Sequence, residues 1–332
     1  MTPKEIFKKF EQLNILIVGD VMLDEYIFGN ANRISPEAPV PVVLYEKADV
    51  RLGGAANVAL NVKALGGNPL LLTVVGNDSA GQKLKKLLFN LGISNDYVIE
   101  SADPNRPTTV KQRILAGTQQ LLRLDTEVSS DVTDEDSEVL YETFSRILEA
   151  QSVQVILFQD YNKGVLTEHF IQKCIAQANK KGIATAVDPK LKNFFAYKNT
   201  TLFKPNLKEV RDGLGISVVP EIPSLRAASQ AIRKQLNHKI TLITLSERGL
   251  YVDENGTESV VPTSHPRNIA DVCGAGDTVI SVAAMCVGLS LGIEQIAQLS
   301  NLAGGQVCEK VGVVSVNKQQ LLDEYERFLD LK

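Results

Sequence analysis

Short apolar runs rich in β-branched residues alternate along this chain with segments of helical periodicity. The apolar runs occupy residues 15–18, 70–75, 153–158, 183–187 and 240–245, and the helical segments occupy residues 56–65, 134–148, 167–180 and 225–236. Such alternation is typical of a parallel β-sheet that buries both faces under helices. The sequence therefore predicts an α/β fold with helices on each side of a central sheet.

Two early segments depart from this alternation. Residues 24–51 and 108–125 contain proline-punctuated, β-branched strands, such as Val40-Pro41-Val42-Val43-Leu44 and Thr109-Val110-Lys111-Gln112-Arg113-Ile114. This pattern favours a small antiparallel sheet, which we expect to act as a lid over the main sheet. Because neither an internal repeat nor a low-complexity linker occurs, we expect residues 1–332 to form one domain.

Composition and charge narrow the function classes. The net charge of −4 over 332 residues provides no broad basic field for nucleic acid. The 4 cysteines and 3 histidines are scattered, without the spacing of a zinc site or a disulfide framework. The first apolar run is too short for a signal peptide, so we expect a cytoplasmic protein. Residues 278–293 carry no charge, but this stretch is short for a membrane span, and we expect a buried helix instead.

A glycine-rich motif, Gly274-Ala275-Gly276-Asp277, directly precedes that apolar helix. Glycines at a helix N-terminus let backbone N–H groups approach an anion, and the helix dipole adds positive potential there. Phosphate is the expected ligand of Gly274, Ala275 and Gly276. A carboxylate in the first turn, Asp277, is suited to accept the proton of a hydroxyl that attacks a γ-phosphate. The alternative is a tight turn in which Asp277 only caps the helix.

A second polar cluster follows the first strand. Carboxylate and amide groups hydrogen-bond neighbouring hydroxyls, and glycines let a sugar lie against the backbone. This combination predicts a polyol site at Asp20, Asp24, Gly53, Gly54 and Asn57. An ordinary helix cap with solvent-facing aspartates is the alternative. No Gly-Lys dipeptide occurs, and the first strand does not end in G-x-G-x-x-G, which argues against a P-loop or a dinucleotide-binding domain.

Asn206 and Glu209 have the spacing of a capping box at the start of a helix. The functional alternative places the same two side chains near Mg²⁺-bound phosphates. That contact would run through water, because Mg²⁺ keeps much of its hydration shell.

Four motifs together resemble those of the ribokinase-like (PfkB) carbohydrate kinases, in the same order. They are Gly53-Gly54-x-x-Asn57, Asn206-x-x-Glu209, Thr244-Leu245-Ser246-Glu247-Arg248-Gly249 and Asp271-x-x-Gly274-Ala275-Gly276-Asp277. The resemblance runs from about residue 14 to residue 316. It implies a ribokinase-like three-layer α/β/α sandwich with a small β-sheet lid, ATP and Mg²⁺, and Asp277 as the base. It assigns the sugar to Asp24, Gly53, Gly54 and Asn57. It assigns the nucleotide to Asn206, Leu207, Lys208, Glu209, Ser246, Glu247, Arg248, Gly249 and Asn301.

Within that family the chain looks most like the D-glycero-β-D-manno-heptose 7-phosphate kinases of lipopolysaccharide core synthesis. Five segments carry this resemblance: residues 33–42, 53–57, 119–125, 160–164 and 188–190. It implies transfer of the γ-phosphate to the anomeric hydroxyl. A phosphorylated acceptor needs cations, and the candidates are Lys111, Arg113, Arg123, Lys163 and Lys190. Lys163 and Arg113 are the first choices, and solvated surface charge is the alternative for each.

Two departures qualify these expectations. Many family members carry threonine at the position of Cys273. The sequence therefore does not decide whether a monovalent-cation site forms around Asp271. The heptose kinases are often fused to a nucleotidyltransferase domain, which we do not expect here because its H-x-G-H motif is absent. The alternatives are a kinase for another sugar or a non-catalytic sugar-binding protein. We also expect a homodimer formed through the lid.

Overall fold

In a computed structural model, which describes residues 1–117, 119–263 and 268–330, the chain forms two β-sheets and a set of helices. Thr118, inside the predicted lid segment, His265 and the last two residues of the predicted domain lie outside the described residues. The strands are β1 (Asn14–Gly19), β2 (Val21–Ile34), β3 (Pro41–Gly54), β4 (Asn68–Val75), β5 (Val98–Glu100), β6 (Val110–Ala116), β7 (Gln119–Thr126), β8 (Val155–Gln159), β9 (Ala184–Asp188), β10 (Leu202–Phe203), β11 (Ile240–Thr244), β12 (Leu250–Glu254) and β13 (Thr257–Val261). The helices are α1 (Pro3–Phe10), α2 (Ala55–Ala64), α3 (Ser79–Asn90), α4 (Asp134–Ala150), α5 (Glu168–Lys180), α6 (Leu207–Leu214), α7 (Ile222–Leu236), α8 (Ala275–Gly288), α9 (Ile293–Cys308) and α10 (Lys318–Asp330).

The large sheet has the strand order β13-β12-β11-β10-β9-β8-β1-β4-β5. Neighbouring strands from β11 to β5 pair in parallel, as the alternating sequence pattern predicts. The β12–β13 hairpin extends the sheet in antiparallel fashion, so the sheet is mixed rather than wholly parallel. Its turn contains Asn255 and Gly256, both with positive φ, and an Asn-Gly pair between two strands is a strong hairpin signal.

Both faces of the large sheet are buried. Along β1, Ile15 and Ile17 join one hydrophobic cluster, whereas Leu16 and Val18 join the other. Helices α1, α2, α3, α8, α9 and α10 contribute buried residues to the first cluster, and α4, α5, α6 and α7 contribute to the second. A strand buried on both sides needs apolar residues at successive positions, which explains the uninterrupted apolar runs in the sequence.

Helix α8 is the uncharged segment that the sequence predicts to be a core helix. Its residues from Asp277 to Val287 are all buried. This prediction is confirmed. No helix within the described ranges combines the length and apolar character needed to cross a bilayer.

The small sheet has the strand order β3-β2-β6-β7 and is built from the two predicted lid segments. Asp24 lies opposite Lys111, which lies opposite Asp125, and Tyr26 lies opposite Arg113, which lies opposite Arg123. Because side chains alternate between faces along a strand, these six residues share one face. The other face carries Ile27, Ile114, Leu122 and Leu124. Strands β2 and β6 pair in parallel, so the small sheet is mixed rather than antiparallel as the sequence predicts. Residues 109–115 lie mostly in the interior strand β6, which β2 and β7 flank.

The order of the strands in the large sheet reverses between β1 and β8. The chain runs from β1 to β4 and β5 on one side and then returns to β8 on the other. In open α/β sheets, such a reversal leaves a crevice at the carboxyl ends of the strands. The backbones are in close contact here, since a Cβ on Gly19 would overlap the Gln159 carbonyl oxygen.

Candidate active site

Side chains from several chain segments meet at this crevice around the carboxylate of Asp277. The carboxylate is almost fully buried, with Asp277 only 3% exposed. Asn57 Nδ2, from α2, donates to Oδ2 at 2.9 Å. The Tyr161 hydroxyl donates to Oδ1 at 2.7 Å, and Gln159 Nε2 donates to the same oxygen at 3.1 Å. Three hydrogen bonds therefore fix the orientation of this carboxylate.

Burial raises the pKa of Asp277 to about 6, and the charge of Asp188 adds to that rise. The hydrogen bonds from Asn57 and Tyr161 and the charge of Lys204 act in the opposite direction. A carboxyl with this pKa is mostly ionised at pH 7 and is more basic than an exposed aspartate. These are the properties of a general base.

Gly274, Ala275 and Gly276 form the predicted anion-binding start of α8. Gly274 is the N-cap residue, has φ of 79°, and supplies no side-chain hydrogen bond to the first turn. The Ala275 N–H donates to the Val272 carbonyl at 3.3 Å, so the N–H groups of Gly274 and Gly276 are the candidates for an anion. Asp277 is the third residue of α8 rather than its cap, so the turn-only alternative does not describe its position.

A chain of charged groups continues from Asp277 along the strand ends. Gln159 Nε2 also lies 3.3 Å from Asp188 Oδ2, which pairs with Lys204 Nζ at 2.9 Å. Lys190 Nζ lies 3.7 Å from Asp188 Oδ1 and bonds to Glu209. Burial disfavours the Lys190 ammonium, but the two carboxylates outweigh burial and raise its pKa above the usual range. Lys190 is thus a permanent cation near the start of α8.

Sequence reasoning did not assign a role to Gln159, Tyr161, Asp188 or Lys204. Each is at, or directly after, the carboxyl end of β8, β9 or β10. Polar residues that end a buried parallel strand project into the crevice, and this position was the available signal.

Asn206 and Glu209 form a capping box. Asn206 Oδ1 accepts the Glu209 amide at 2.8 Å, and Glu209 Oε2 accepts the Asn206 amide at 2.8 Å. This is the structural alternative raised above. With their oxygens in these bonds, Asn206 and Glu209 are suited only to contact a metal through water. Direct coordination would compete with the capping box and with the bond from Lys190 to Glu209.

The predicted sugar cluster divides into two parts. Asp24 pairs with Arg113 and contacts Gly53, where a Cβ would overlap Asp24 Oδ2. Asp20 has a different environment, since its carboxylate accepts the backbone N–H groups of Tyr161, Lys163 and Val165 at 2.8, 3.0 and 3.1 Å. Three backbone donors hold this carboxylate, and Asp20 is almost fully buried, which indicates that Asp20 positions the loop rather than a sugar. Gly54 begins α2 with φ of 60°, a conformation that favours glycine.

Lys163 and Lys111 are bridged by one carboxylate at the junction of the small sheet and the body. Glu127 Oε1 lies 2.8 Å from Lys163 Nζ, and its Oε2 lies 2.9 Å from Lys111 Nζ. Arg123 pairs with Asp125 at 3.0 Å. The lysine side chains are 16% and 17% exposed, so they are not freely solvated surface charges.

Among the predicted nucleotide residues, 246–249 and Asn301 lie near the β11–β13 edge of the large sheet. Ser246–Arg248 form a short 3₁₀ turn, and Gly249 follows with φ of 90°. Thr263 Oγ1 donates to the Glu247 carbonyl at 3.0 Å, and Asn301 Nδ2 donates to the Pro262 carbonyl at 2.8 Å. These bonds connect the turn and α9 through the segment that follows β13.

Asp271 lies in the loop before Gly274. Its Oδ1 accepts the Cys273 amide at 3.0 Å, and its Oδ2 accepts the Gly312 amide at 2.9 Å. The possible monovalent-cation site around Asp271 stays a prediction.

Comparison with known proteins identifies the family of this chain. A model of the pfkB family carbohydrate kinases matches residues 12–320. The chain belongs to this family. The predicted resemblance and the predicted enzyme class, a carbohydrate kinase, are thereby confirmed.

Relatives named bifunctional protein HldE match most of the chain. That of Methylobacillus flagellatus is 39% identical over 94% of this chain and 63% of its own length. That of Psychromonas ingrahamii is 40% identical over 94% of this chain and 64% of its own length. The chain therefore spans slightly less than two thirds of these relatives.

Solved structures confirm the predicted ribokinase-like fold. Phosphofructokinase-2 from Escherichia coli, in complex with potassium, has a TM-score of 0.79 at 20% identity and covers 95% of this chain and 99% of its own. Ribokinase from Arabidopsis thaliana, complexed with ribose and ATP, has a TM-score of 0.70 at 16% identity and covers 93% and 98%. At these identities the likeness establishes the fold alone.

The contact between Gly53 and Asp24 gives a first prediction. Gly53→Ala places a methyl group where Asp24 Oδ2 lies, so Asp24 and its partner Arg113 must move. We expect the KM for the sugar to rise about tenfold or more, with a smaller effect on the KM for ATP. Gly292→Ala is the matched control, because its Cβ meets nothing within 4 Å and its φ is −65°. Equal sugar KM values in the two variants would contradict the prediction.

Proposed function

We propose that this carbohydrate kinase phosphorylates D-glycero-β-D-manno-heptose 7-phosphate at the anomeric hydroxyl, giving the 1,7-bisphosphate. The observation that carries the proposal is the charged face of the small sheet. Lys111, Arg113 and Arg123 share that face with Asp24, and Lys163 joins them from the body. A sugar that already bears a phosphate requires such cations, whereas a neutral sugar does not.

The chemistry follows from the position of Asp277. Its carboxylate accepts the proton as the sugar hydroxyl attacks the γ-phosphorus of ATP, and ADP leaves. The amides of Gly274 and Gly276 and the nearby Lys190 meet the negative charge on the transferred group. Asp24, Gly53 and Asn57 orient the sugar. Residues 206–209 and 246–249, with Asn301, bind the nucleotide. This proposal includes a cytoplasmic location, where ATP is available.

The side chains around Gly276 fit Mg²⁺, which would neutralise the β- and γ-phosphates when bound. Among the described residues, Asp188 Oδ1 is buried without a hydrogen-bond partner, with Lys190 Nζ 3.7 Å away, and it would accept a hydrogen bond from a metal-bound water. Asn206 and Glu209 would hold the hydrated ion through water, which leaves their capping box intact.

A coupled ADP-release assay over a panel of acceptors tests the substrate assignment. We expect kcat/KM for the heptose 7-phosphate to exceed that for fructose 6-phosphate and ribose by at least about a hundredfold, because only the correct sugar fits both the cations and Asp24. Asp277→Asn protein prepared in parallel reports any contaminating kinase. Equal or faster turnover of fructose 6-phosphate or ribose rejects this substrate in favour of another sugar.

Asp277→Asn tests the base directly. Asparagine keeps the size of the side chain but cannot accept the hydroxyl proton. We expect kcat to fall on the order of 10²–10⁴-fold while ATP binding and melting temperature are retained. In the unmodified enzyme, kcat/KM should fall as the pH drops below about 6, because Asp277 then becomes protonated. A near-normal kcat in the variant would show that this carboxylate is not the base.

Lys163→Met tests the site for the acceptor's own phosphate. It removes one cation paired with Glu127 while keeping the length of the side chain. We expect the sugar-phosphate KM to rise at least about tenfold, with the ATP KM nearly unchanged, and Arg113→Met to act in the same direction. Lys318→Met is the control, since Lys318 also has one carboxylate partner, Glu11, but lies at the start of α10. An unchanged sugar-phosphate KM in both Lys163→Met and Arg113→Met removes these cations from the site.

We propose further that the protein is a homodimer formed through the small sheet. Leu122 and Leu124 are each 54% exposed and point away from the charged face. The double substitution Leu122→Glu and Leu124→Glu should shift the sedimentation coefficient to that of a monomer. Phe89→Glu, which changes an exposed apolar residue on α3, should leave it unchanged. A monomeric unmodified protein at micromolar concentration with full activity would refute the dimer.

A further inference from the structure

The Tyr161 hydroxyl lies against the proposed base, and the mechanism above gives it no role. Its side chain is partly buried, and its oxygen is 2.7 Å from Asp277 Oδ1. Gln159 Nε2 donates to the same oxygen at 3.1 Å. Asp277 Oδ2 accepts a single hydrogen bond from the described protein groups, the one from Asn57 at 2.9 Å. The two oxygens of this carboxylate are therefore not equivalent.

The loop that carries Tyr161 is held firmly. The Asp20 carboxylate accepts the N–H groups of Tyr161, Lys163 and Val165. Asn162 adopts φ of 54°, and its N–H donates to Asp160 Oδ1 at 2.8 Å. Lys190 Nζ lies 5.3 Å from the centre of the Tyr161 ring. These contacts fix the backbone of the loop from which the Tyr161 side chain projects.

An ionised carboxylate accepts about two hydrogen bonds at each oxygen. Tyr161 and Gln159 fill Oδ1, whereas Asn57 leaves one acceptor direction open at Oδ2. We infer that Tyr161 is a positioning residue that, with Gln159, occupies Oδ1 of Asp277 and leaves Oδ2 as the atom that takes the sugar proton. This inference rests on Asp277 being the base, as proposed above.

The electrostatics of the site agree with this assignment. Burial and the charges of Asp277, Asp188 and Asp24 raise the pKa of Tyr161 well above its usual range, so its hydroxyl remains a donor. Its hydrogen bond lowers the pKa of Asp277, together with the bond from Asn57 and the charge of Lys204, against burial and Asp188. Lys190, on the other side of the ring, remains charged. Loss of the Tyr161 hydroxyl should therefore make Asp277 harder to ionise.

The test is the pH profile of kcat/KM for Tyr161→Phe, measured with the fastest acceptor from the panel. We expect the plateau to fall about tenfold and the acidic limb to move to higher pH by about one unit, since a lost donor disfavours the ionised base. Tyr251→Phe is the matched control. It removes the hydroxyl of a buried tyrosine on β12 that donates to Glu258 at 2.7 Å, and it should leave the limb in place.

A second variant keeps the inference testable if Tyr161→Phe fails to fold. Gln159→Met removes the other donor to Oδ1 and leaves the loop sequence intact, so the limb should move in the same direction. Melting temperatures of all variants accompany the kinetics.

Three outcomes are separable. An unmoved acidic limb and an unchanged plateau in Tyr161→Phe and Gln159→Met overturn the inference, even if Asp277→Asn is inactive. A faster Tyr161→Phe enzyme also overturns it, because the hydroxyl would then be blocking the sugar's position. Normal turnover by Asp277→Asn instead rejects the proposed base itself, irrespective of the tyrosine result.

Discussion

The carboxylate of Asp277 is removed from water, and the surrounding architecture compensates for that desolvation. A buried charge is costly unless donors surround it. Here the donors come from α2, from the end of β8 and from the loop after β8. Two chain segments that are distant in sequence from α8, one around Asn57 and one at residues 159–161, thus converge on one side chain at the first turn of α8. The same burial that threatens stability raises the pKa of the group into the range of a useful base.

Charge balance extends this constraint outward. Asp277 and Asp188 are two buried carboxylates near the start of α8, and Lys204 and Lys190 lie beside Asp188. Lys190 also pairs with Glu209, whose other oxygen caps α6. Asp277, Asp188, Lys204, Lys190 and Glu209 each have a partner of opposite charge or a hydrogen-bond partner. These contacts organise the site. Preorganised donors and cations stabilise developing charge without rearrangement during the reaction.

Sequence patterns predicted the elements more completely than their arrangement. The apolar runs identified β1, β4, β8, β9 and β11, because a strand buried on both faces has an unmistakable composition. The two-residue strand β10 and the three-residue strand β5 are too short to leave such a signal. The β12–β13 hairpin was not predicted, although its Asn-Gly turn is a recognisable sequence signal.

Within the candidate site, too, residues with local chemistry could be predicted, whereas residues whose role depends on distant contacts could not. Asp277 and the glycines before it were recognisable because their chemistry is local. Asp20 was predicted to bind the sugar, whereas its carboxylate accepts backbone amides up to 145 positions downstream, and amides have no sequence signature. Tyr161 and Gln159 acquire their importance from the position of the end of β8 beside the first turn of α8, which local patterns do not encode. The resemblance drew attention to residues 160–164 without assigning Tyr161 a task.

Strand β7 joins the two surfaces that the proposed function requires. Along it, Leu122 and Leu124 alternate with Arg123 and Asp125, so neighbouring residues face opposite sides of the small sheet. If the apolar side is covered by a second copy, the strand cannot twist freely, and the cations on the other side stay aligned with Asp24. Pairing between copies would then affect acceptor binding without supplying a residue to the site. In that case the twofold period of β7 would place the contact between copies and the cations for the acceptor on opposite faces of one strand.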